Sequence, residues 1–392
     1  MPPNLESKMQ KDFSSLLESY NRRDLQVKAN PPVIYLESVR GCPYTCAMCH
    51  FRLTKPKRIS KDLLGKLEPY FQDLEVLSIH GDGEPLLSDI DYFVKASMAN
   101  NIVLHMNTTG FFLTPKVVDQ LLKTRLSIRF SIHSGKAETY KKIMGQDLNI
   151  ILKNIDYLVK NADSSGNEHD FWFSFIVMKE NIDEIEEFMR LANKIGVRNV
   201  RFMELHSNWK TMRGLKLQDH NFTFKFREQF NREIVAKFNR RLPRYQDLAN
   251  KLGLNIRYGT MPCALGNNYN GKVIINNITN FLSGKNVFPL FRNKGSCLAP
   301  WFGQPIISQN GNVRLCCASP YSLGNLHQSS LAEIWNSPRM AKVRAPFQKG
   351  FMPLICGYCQ GFSFENYPVN AFKGIRPTER QNLPDDLSAG LS

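Results

Sequence analysis

The sequence predicts an α/β protein in which six parallel strands and their helices curl into a partial (β/α)6 barrel, followed by a small metal-stapled C-terminal module. Three observations predict it. Six apolar, β-rich runs recur at Val33–Leu36, Val76–Ile79, Ile102–Met106, Leu126–Ile132, Phe171–Val177 and Val200–Met203. Amphipathic stretches of helical length lie between them, among them Lys61–Phe71, Thr114–Leu122, Ile150–Val159 and Ile182–Ile195. After residue 205 the pattern changes, and residues 263–360 are rich in Gly, Asn and Pro and hold six of the nine cysteines.

Near-continuous apolar runs suit strands buried on both faces of a parallel sheet. Strand and helix in alternation imply βαβ units. Right-handed crossovers curl six such units into a partial barrel with ligands at the carboxyl ends of the strands. Beyond the barrel, residues 221–226 alternate like a short strand, and residues 227–239 read as a helix that Pro243 ends. The expected organisation is an N-terminal helical extension over 1–30, the barrel over 31–205, a basic aromatic bridging segment over 206–262, the cysteine module over 263–365 and a loose tail over 366–392.

Composition bounds the function. With 392 residues, 42% hydrophobic and 22% charged, the chain can bury a large core and does not read as disordered. The first residues hold no apolar signal segment, and no apolar run approaches the roughly 18 residues of a membrane span. A cytoplasmic protein away from the membrane is the expectation, so the grouped cysteines point to metal or redox chemistry rather than disulfides. The formal net charge is +16, and residues 205–260 hold twelve Lys or Arg against four Asp or Glu, half the excess. That segment reads either as a site for an acidic partner or as a solvated helix face with core aromatics.

Gly41-Cys42-Pro43-Tyr44-Thr45-Cys46-Ala47-Met48-Cys49-His50 follows the first strand with C-x3-C-x2-C spacing. Thiolates suit zinc and iron–sulfur clusters. Three cysteines leave one iron of a 4Fe–4S cluster open, whereas zinc would need a fourth ligand such as His50. Gly81-Asp82-Gly83-Glu84-Pro85 ends the second strand, Met106-Asn107-Thr108-Thr109-Gly110 the third, and Phe130-Ser131-Ile132-His133 the fourth. The third reads as a chain turn without a catalytic role, and His133 as a structural histidine.

These motifs, in this order, resemble those of the radical S-adenosylmethionine (SAM) superfamily. The resemblance implies a 4Fe–4S cluster on Cys42, Cys46 and Cys49 that chelates SAM and cleaves it to a 5′-deoxyadenosyl radical. It implies cofactor contacts from Met48 (where relatives carry an aromatic residue near the adenine), from Gly83, Glu84 and Pro85 around the methionine amino group, and from Ser131 at the ribose or carboxylate. Asp82 stands where the family's first glycine does.

Four of the later cysteines could close one zinc site or one fully ligated cluster: Cys297, Cys316, Cys356 and Cys359. Cys297-Leu-Ala-Pro-Trp301, Gly311-Asn-Val-Arg-Leu-Cys316-Cys317, Leu323-Gly-Asn-Leu326, Ser330-Leu-Ala-Glu-Ile-Trp335 and Cys356-x2-Cys359 resemble the SPASM/twitch auxiliary module of the same superfamily. That implies a second 4Fe–4S cluster on those four residues, with Cys317 as the alternative to Cys316. Cys263 is left over. It is either a buried small hydrophobe or, as in some radical epimerases, a catalytic thiol that returns a hydrogen atom.

The expected activity is hydrogen abstraction from a substrate C–H bond. The expected outcome is peptide maturation by epimerisation, oxidation or crosslinking, with a sugar, aminocyclitol or other small molecule as the alternative substrate. The expected partners are that substrate, with an acidic one matching the basic segment, and an electron donor such as a flavodoxin or ferredoxin. No compact RNA-binding motif is present, so nucleic acid is the weaker partner; the rival from another class is a zinc-stabilised, basic RNA-binding protein without catalysis.

Overall fold

A computed structural model describes residues 18–205, 214–217, 222–258, 299–316 and 321–349, together with positions 12, 14–16, 291–292, 297, 319 and 351–353. All six predicted runs are strands: β1 Val33–Leu36, β2 Val76–Ser78, β3 Val103–Thr108, β4 Leu126–Ser131, β5 His169–Val177 and β6 Asn199–Glu204. They pair in parallel in chain order. Among the described residues the sheet then grows at both edges to ten strands. β7, Asn255–Tyr258, adds in parallel to β6, so the segment expected only to bridge ends in a barrel strand. At the other edge β8, Ile306–Ile307, pairs in parallel with β1, and β9 (Asn312–Arg314) and β10 (Ser322–Asn325) follow antiparallel. The C-terminal module is therefore fused to the barrel by backbone hydrogen bonds, as when Glu37 N–H donates to Ile307 O at 2.8 Å.

Helices α1 (Lys61–Phe71), α2 (Ile90–Asn100), α3 (Pro115–Leu121), α4 (Ala137–Met144), α5 (Leu148–Ala162) and α6 (Ile185–Ile195) cover one face of the sheet. Local chemistry fixes their starts. Ser60, Thr114 and Asp147 each accept a first-turn N–H, and Pro115 stands at a first-turn position where no amide hydrogen is needed. Leu77, Leu104, Met106, Ile128, Phe130, Phe173, Phe175 and Phe202 point to these helices and form the core. Alternate strand positions carry Tyr35, Ser78, His105, Arg129, Asp170 and Arg201 instead, as the period-2 geometry of a strand requires. The opposite face, the barrel interior, thus mixes these polar groups with apolar residues such as Val76, Val103 and Trp172, where the runs suggested apolar residues throughout.

One expectation fails outright. Pro243 does not end a helix; α7 runs over Arg232–Leu252 and contains it. Proline inside a helix costs about 3 kcal/mol, which packing on both sides of it offsets. Phe238 before it and Tyr245 after it are buried against Phe202, while Lys237, Arg241 and Arg244 form ion pairs with Asp183 and Glu186 beside α6. The short strand expected near 221–226 is present as Phe222–Phe224, paired antiparallel with Leu215–Leu217. Among the described residues no helix is long and apolar enough to cross a membrane.

Candidate active site

The cysteine loop is clamped from two sides. Gly41 enters it at φ +99°, a left-handed conformation that L side chains rarely adopt. Its N–H donates to Asp82 O at 2.8 Å, and Gly41 and Gly83 form an isolated parallel bridge. A Cβ on Gly83 would lie 2.4 Å from Val39 O and 2.8 Å from Gly41 O, so the two loops meet backbone to backbone with no room for a side chain. From below, α4 supports the loop: Ala47 N–H donates to Ile143 O at 2.7 Å, and Cys46 Sγ lies 3.8 Å from Met144 O. This helix was not among those anticipated from the sequence.

Cys42, Cys46 and Cys49 stand within electrostatic reach of one another. Burial pushes all three thiols up, Cys42 to about 11, and the cysteines' charges add to the rise at Cys42 and Cys46. Such mutually repelling thiolates are stabilised by cations placed among them, which is the donor chemistry of an iron–sulfur cluster. Arg52 lies close enough to lower the Cys49 thiol, and its Nη1 is buried without a partner. The residues therefore fit the cluster. Among the described residues no three His, Cys, Asp or Glu side chains gather as ligands of a single ion. His50, the fourth ligand a zinc reading would need, is exposed and lies against the Phe51 ring.

Glu84 is the buried carboxyl of the site. Burial raises it to about 7, opposed by hydrogen bonds that favour its charge. Thr108 Oγ1 donates to Oε1 at 2.6 Å, Leu86 N–H to Oε1 at 3.2 Å and Thr109 N–H to Oε2 at 3.4 Å. The Met106–Gly110 segment is thus more than a turn: it aims Glu84. A carboxyl held near neutrality in a dry site is poised to gain from an ammonium group placed beside it. Pro85 opens the single 3-10 turn that follows and is buried.

The other anticipated residues are placed as follows. Met48 is partly buried against the core. Ser131 is half-buried at the carboxyl end of β4, opposite Ser174, and its carbonyl accepts from Tyr140 Oη at 3.0 Å. His133 is structural: its Nδ1 lies 3.0 Å from Ser174 O, its carbonyl accepts from Asn181 Nδ2 at 2.8 Å, and burial lowers its pKa to about 4. Cys297 and Cys316 are half-buried, Cys316 against the core just after β9. Cys263, Cys317, Cys356 and Cys359 lie outside the described residues.

Sequence reasoning missed three features. Thr108 and Thr109 orient Glu84. Tyr44, next to the cysteines, stacks on Phe112 at 5.6 Å and meets Phe111 edge-on, so an aromatic cluster borders the loop. Glu37, buried at the end of β1, accepts from Gln309 N–H at 3.0 Å and links the C-terminal module to the cysteine loop. The polar residues at alternate positions of each strand were the available signal for an interior with chemistry in it. The basic segment, conversely, spends Lys237, Arg241 and Arg244 on pairing α7 with Asp183 and Glu186.

Comparison with known proteins gives two family matches: the radical SAM superfamily over residues 36–192 and SPASM, an iron–sulfur cluster-binding domain, over residues 297–360. Mycofactocin maturase MftC of Mycolicibacterium smegmatis is 25% identical over 177 residues, 42% of this chain and 43% of that protein. A probable GTP 3′,8-cyclase of Saccharolobus islandicus is 27% identical over 172 residues, 42% of this chain and 54% of that protein. The chain thus spans about half the length of these curated relatives. In fold, Streptococcus suis SuiB bound to precursor peptide SuiA matches with a TM-score of 0.59 at 14% identity, covering 90% of this chain and 76% of that one. The enzyme anSMEcpe with AdoMet and a Cp18Cys peptide matches with 0.53 at 14% identity, covering 80% and 82%.

Proposed function

This chain belongs to the radical SAM superfamily, in the branch that carries a SPASM domain, and from that premise we propose that it matures a peptide. It would take a hydrogen atom from an unactivated C–H bond of a peptide residue, leading to epimerisation, oxidation or crosslinking. The observation that carries this reading is architectural. Barrel and C-terminal hairpin form one sheet, and the folds that match most of the chain belong to enzymes crystallised with peptides. The maturase similarity over the barrel supports it.

A bound cluster with SAM would supply a 5′-deoxyadenosyl radical able to take that hydrogen. Cys42, Cys46 and Cys49 would hold the catalytic cluster and leave one iron for SAM. Glu84, aimed by Thr108, would accept from the SAM ammonium group, with Gly83 and Pro85 letting the backbone approach. Met48 would border the adenine and Ser131 the ribose or carboxylate. Cys297, Cys316, Cys356 and Cys359 would hold the auxiliary cluster. Cys263 would return a hydrogen atom if the product is an epimer. A flavodoxin or ferredoxin would deliver the electron, in a reducing cytoplasm that keeps such thiolates available.

The test is anaerobic reconstitution with reductant and SAM. About eight irons per chain and release of 5′-deoxyadenosine are expected. Co-expression with short reading frames beside the gene should yield a peptide that has lost two hydrogens or gained solvent deuterium. Unchanged 5′-deoxyadenosine release by a Cys42→Ala, Cys46→Ala, Cys49→Ala variant refutes the assignment of those ligands. Unmodified peptides throughout, beside an active enzyme, refute peptide maturation.

A further inference from the structure

We propose that the exposed basic loop after the cysteine motif, residues 52–61 together with Arg40, is the docking site of the electron donor and fits an acidic one-electron carrier protein; this rests on the assignment of the cluster to Cys42, Cys46 and Cys49 and not on the identity of the substrate. Between Glu37 and Asp62 the chain holds six cations, Arg40, Arg52, Lys55, Lys57, Arg58 and Lys61, and no Asp or Glu. All but the half-buried Arg52 are exposed. Arg40 and Lys57 stand directly opposite each other in a two-residue antiparallel ladder, Val39–Arg40 with Lys57–Arg58. Like charges at opposed positions destabilise a ladder, so the hairpin keeps this pair against its own stability. Arg40 reaches one buried carboxylate, Glu37, at 3.7 Å, and Arg58 Nε donates to the carbonyl of Leu87 at 2.6 Å. Asp62 pairs with Lys66 on its own helix, and among the described residues Lys55, Lys57 and Lys61 form no ion pair.

The patch has an apolar centre. Leu53 is 56% exposed, more than any other large hydrophobic side chain among the described residues. It is held at φ +53°, in the left-handed region that few non-glycine residues occupy. The cysteine loop holds it there. Leu53 N–H donates to Tyr44 O, Thr54 N–H donates to Cys42 O, and Cys42 N–H donates to Thr54 Oγ1, each at 3.0 Å. A Cβ on Gly41 would lie 2.6 Å from Lys55 O, so the two segments pack backbone to backbone. An apolar centre among cations suits a transient partner: charge steers the encounter and the apolar contact seats it. Position selects which partner. A substrate has to reach the strand ends where Glu84 and Ser131 stand, whereas an electron needs only a short path to the thiolates. The loop offers that path through the Thr54–Cys42 hydrogen bonds and through the Phe51 and Arg52 N–H groups, which hydrogen-bond the Cys49 sulfur. In the transfer one electron leaves the reduced carrier, which is oxidised, and reduces the cluster; no bond forms or breaks and no proton moves.

The probe is a flavodoxin of strongly negative net charge, mixed with anaerobically reconstituted full-length protein. Calorimetry gives its dissociation constant at roughly 0.05 and 0.5 M salt. Stopped-flow absorbance and electron paramagnetic resonance follow cluster reduction by its hydroquinone. The combined Lys55→Gln, Lys57→Gln, Arg58→Gln variant should bind about tenfold more weakly at the lower salt, be reduced about tenfold more slowly at limiting carrier, and show a flatter salt dependence. Two single variants separate docking from folding. Lys57→Glu sets a carboxylate opposite Arg40, and Leu53→Gly relieves the left-handed backbone, so both should melt no lower than wild type while binding the carrier severalfold more weakly. Cluster reduction by photoreduced deazaflavin, a small donor that needs no docking surface, should match wild type in every variant. Wild-type affinity and salt dependence in these variants overturn the proposal, as does failure of the wild type to bind the carrier at low salt. Loss of binding to an acidic N-acetylated peptide pool, with carrier binding intact, overturns it by assigning the loop to substrate. If deazaflavin reduces no cluster in the wild type, the ligand assignment fails, and the docking site with it.

Discussion

Replacing Thr108 with valine tests how Glu84 is tuned. The Thr108 hydroxyl donates to Glu84 Oε1 at 2.6 Å in a buried setting and also accepts from Gly110 N–H at 3.1 Å. A hydrogen bond to a charged group contributes about 1.5–3 kcal/mol. At about 1.4 kcal/mol per pH unit, its loss moves the Glu84 titration up by about one to two pH units from its present value of about 7. At pH slightly above 7 the wild-type group is mostly carboxylate, and the variant group mostly neutral acid. If Glu84 accepts from the SAM ammonium, the apparent affinity for SAM falls roughly tenfold there and recovers as pH rises. Gly110 N–H also loses its acceptor, so the melting temperature drops. Thr108→Ser keeps the hydroxyl and should bind SAM like the wild type. Anaerobic calorimetric titration of SAM over roughly pH 6 to 9 reads this directly. If Thr108→Val binds SAM with wild-type affinity at every pH, or Thr108→Ser is equally impaired, the argument fails.

Two further outcomes are expected. Gly83→Ala would place a Cβ 2.4 Å from Val39 O and 2.8 Å from Gly41 O. Neither backbone atom can step aside, so the variant should lose about 1–3 kcal/mol or more and reconstitute with less iron, as read by thermal melting and iron analysis; unchanged values for both would contradict the clamp. Glu75 is raised to about 7, mainly by burial, with Arg125 opposing. A carboxyl raised by folding binds its proton more tightly in the native state. Its stability contribution is therefore present below the ordinary value near 4.5 and lost as pH rises through about 7, up to about 3 kcal/mol. Glu75→Gln should be more stable than wild type at pH 8 and flatter between pH 5 and 8 in urea titrations. Parallel pH profiles for the two proteins would show that Glu75 does not titrate in this way.

Some structure was legible because local rules govern it. The six strands follow from their β-rich runs, and α1, α3, α5 and α6 from apolar periodicity reinforced by caps such as Ser60, Thr114 and Asp147. Pro243 misled because the local rule is right about proline and silent about Phe238, Tyr245 and the ion pairs that hold α7 together around it. The turn at Thr108 and Thr109 looked inert because its partner, Glu84, is distant in sequence. The polar side of the interior went unseen because Ser78, His105, Arg129 and Arg201 sit inside otherwise apolar runs, and only strand pairing sets such residues side by side.

The sequence by itself determined the class of chemistry. Thiolate spacing after a strand, and the glycine and carboxylate motif after the next, are local patterns, and local patterns are written in the chain. Tertiary structure decided what surrounds that chemistry: which hydroxyl aims Glu84, that Asn255–Tyr258 extends the parallel sheet, and that the C-terminal module shares that sheet through β8. Those relations join residues far apart in sequence, and their energies come from burial and register, which exist only once the strands have paired.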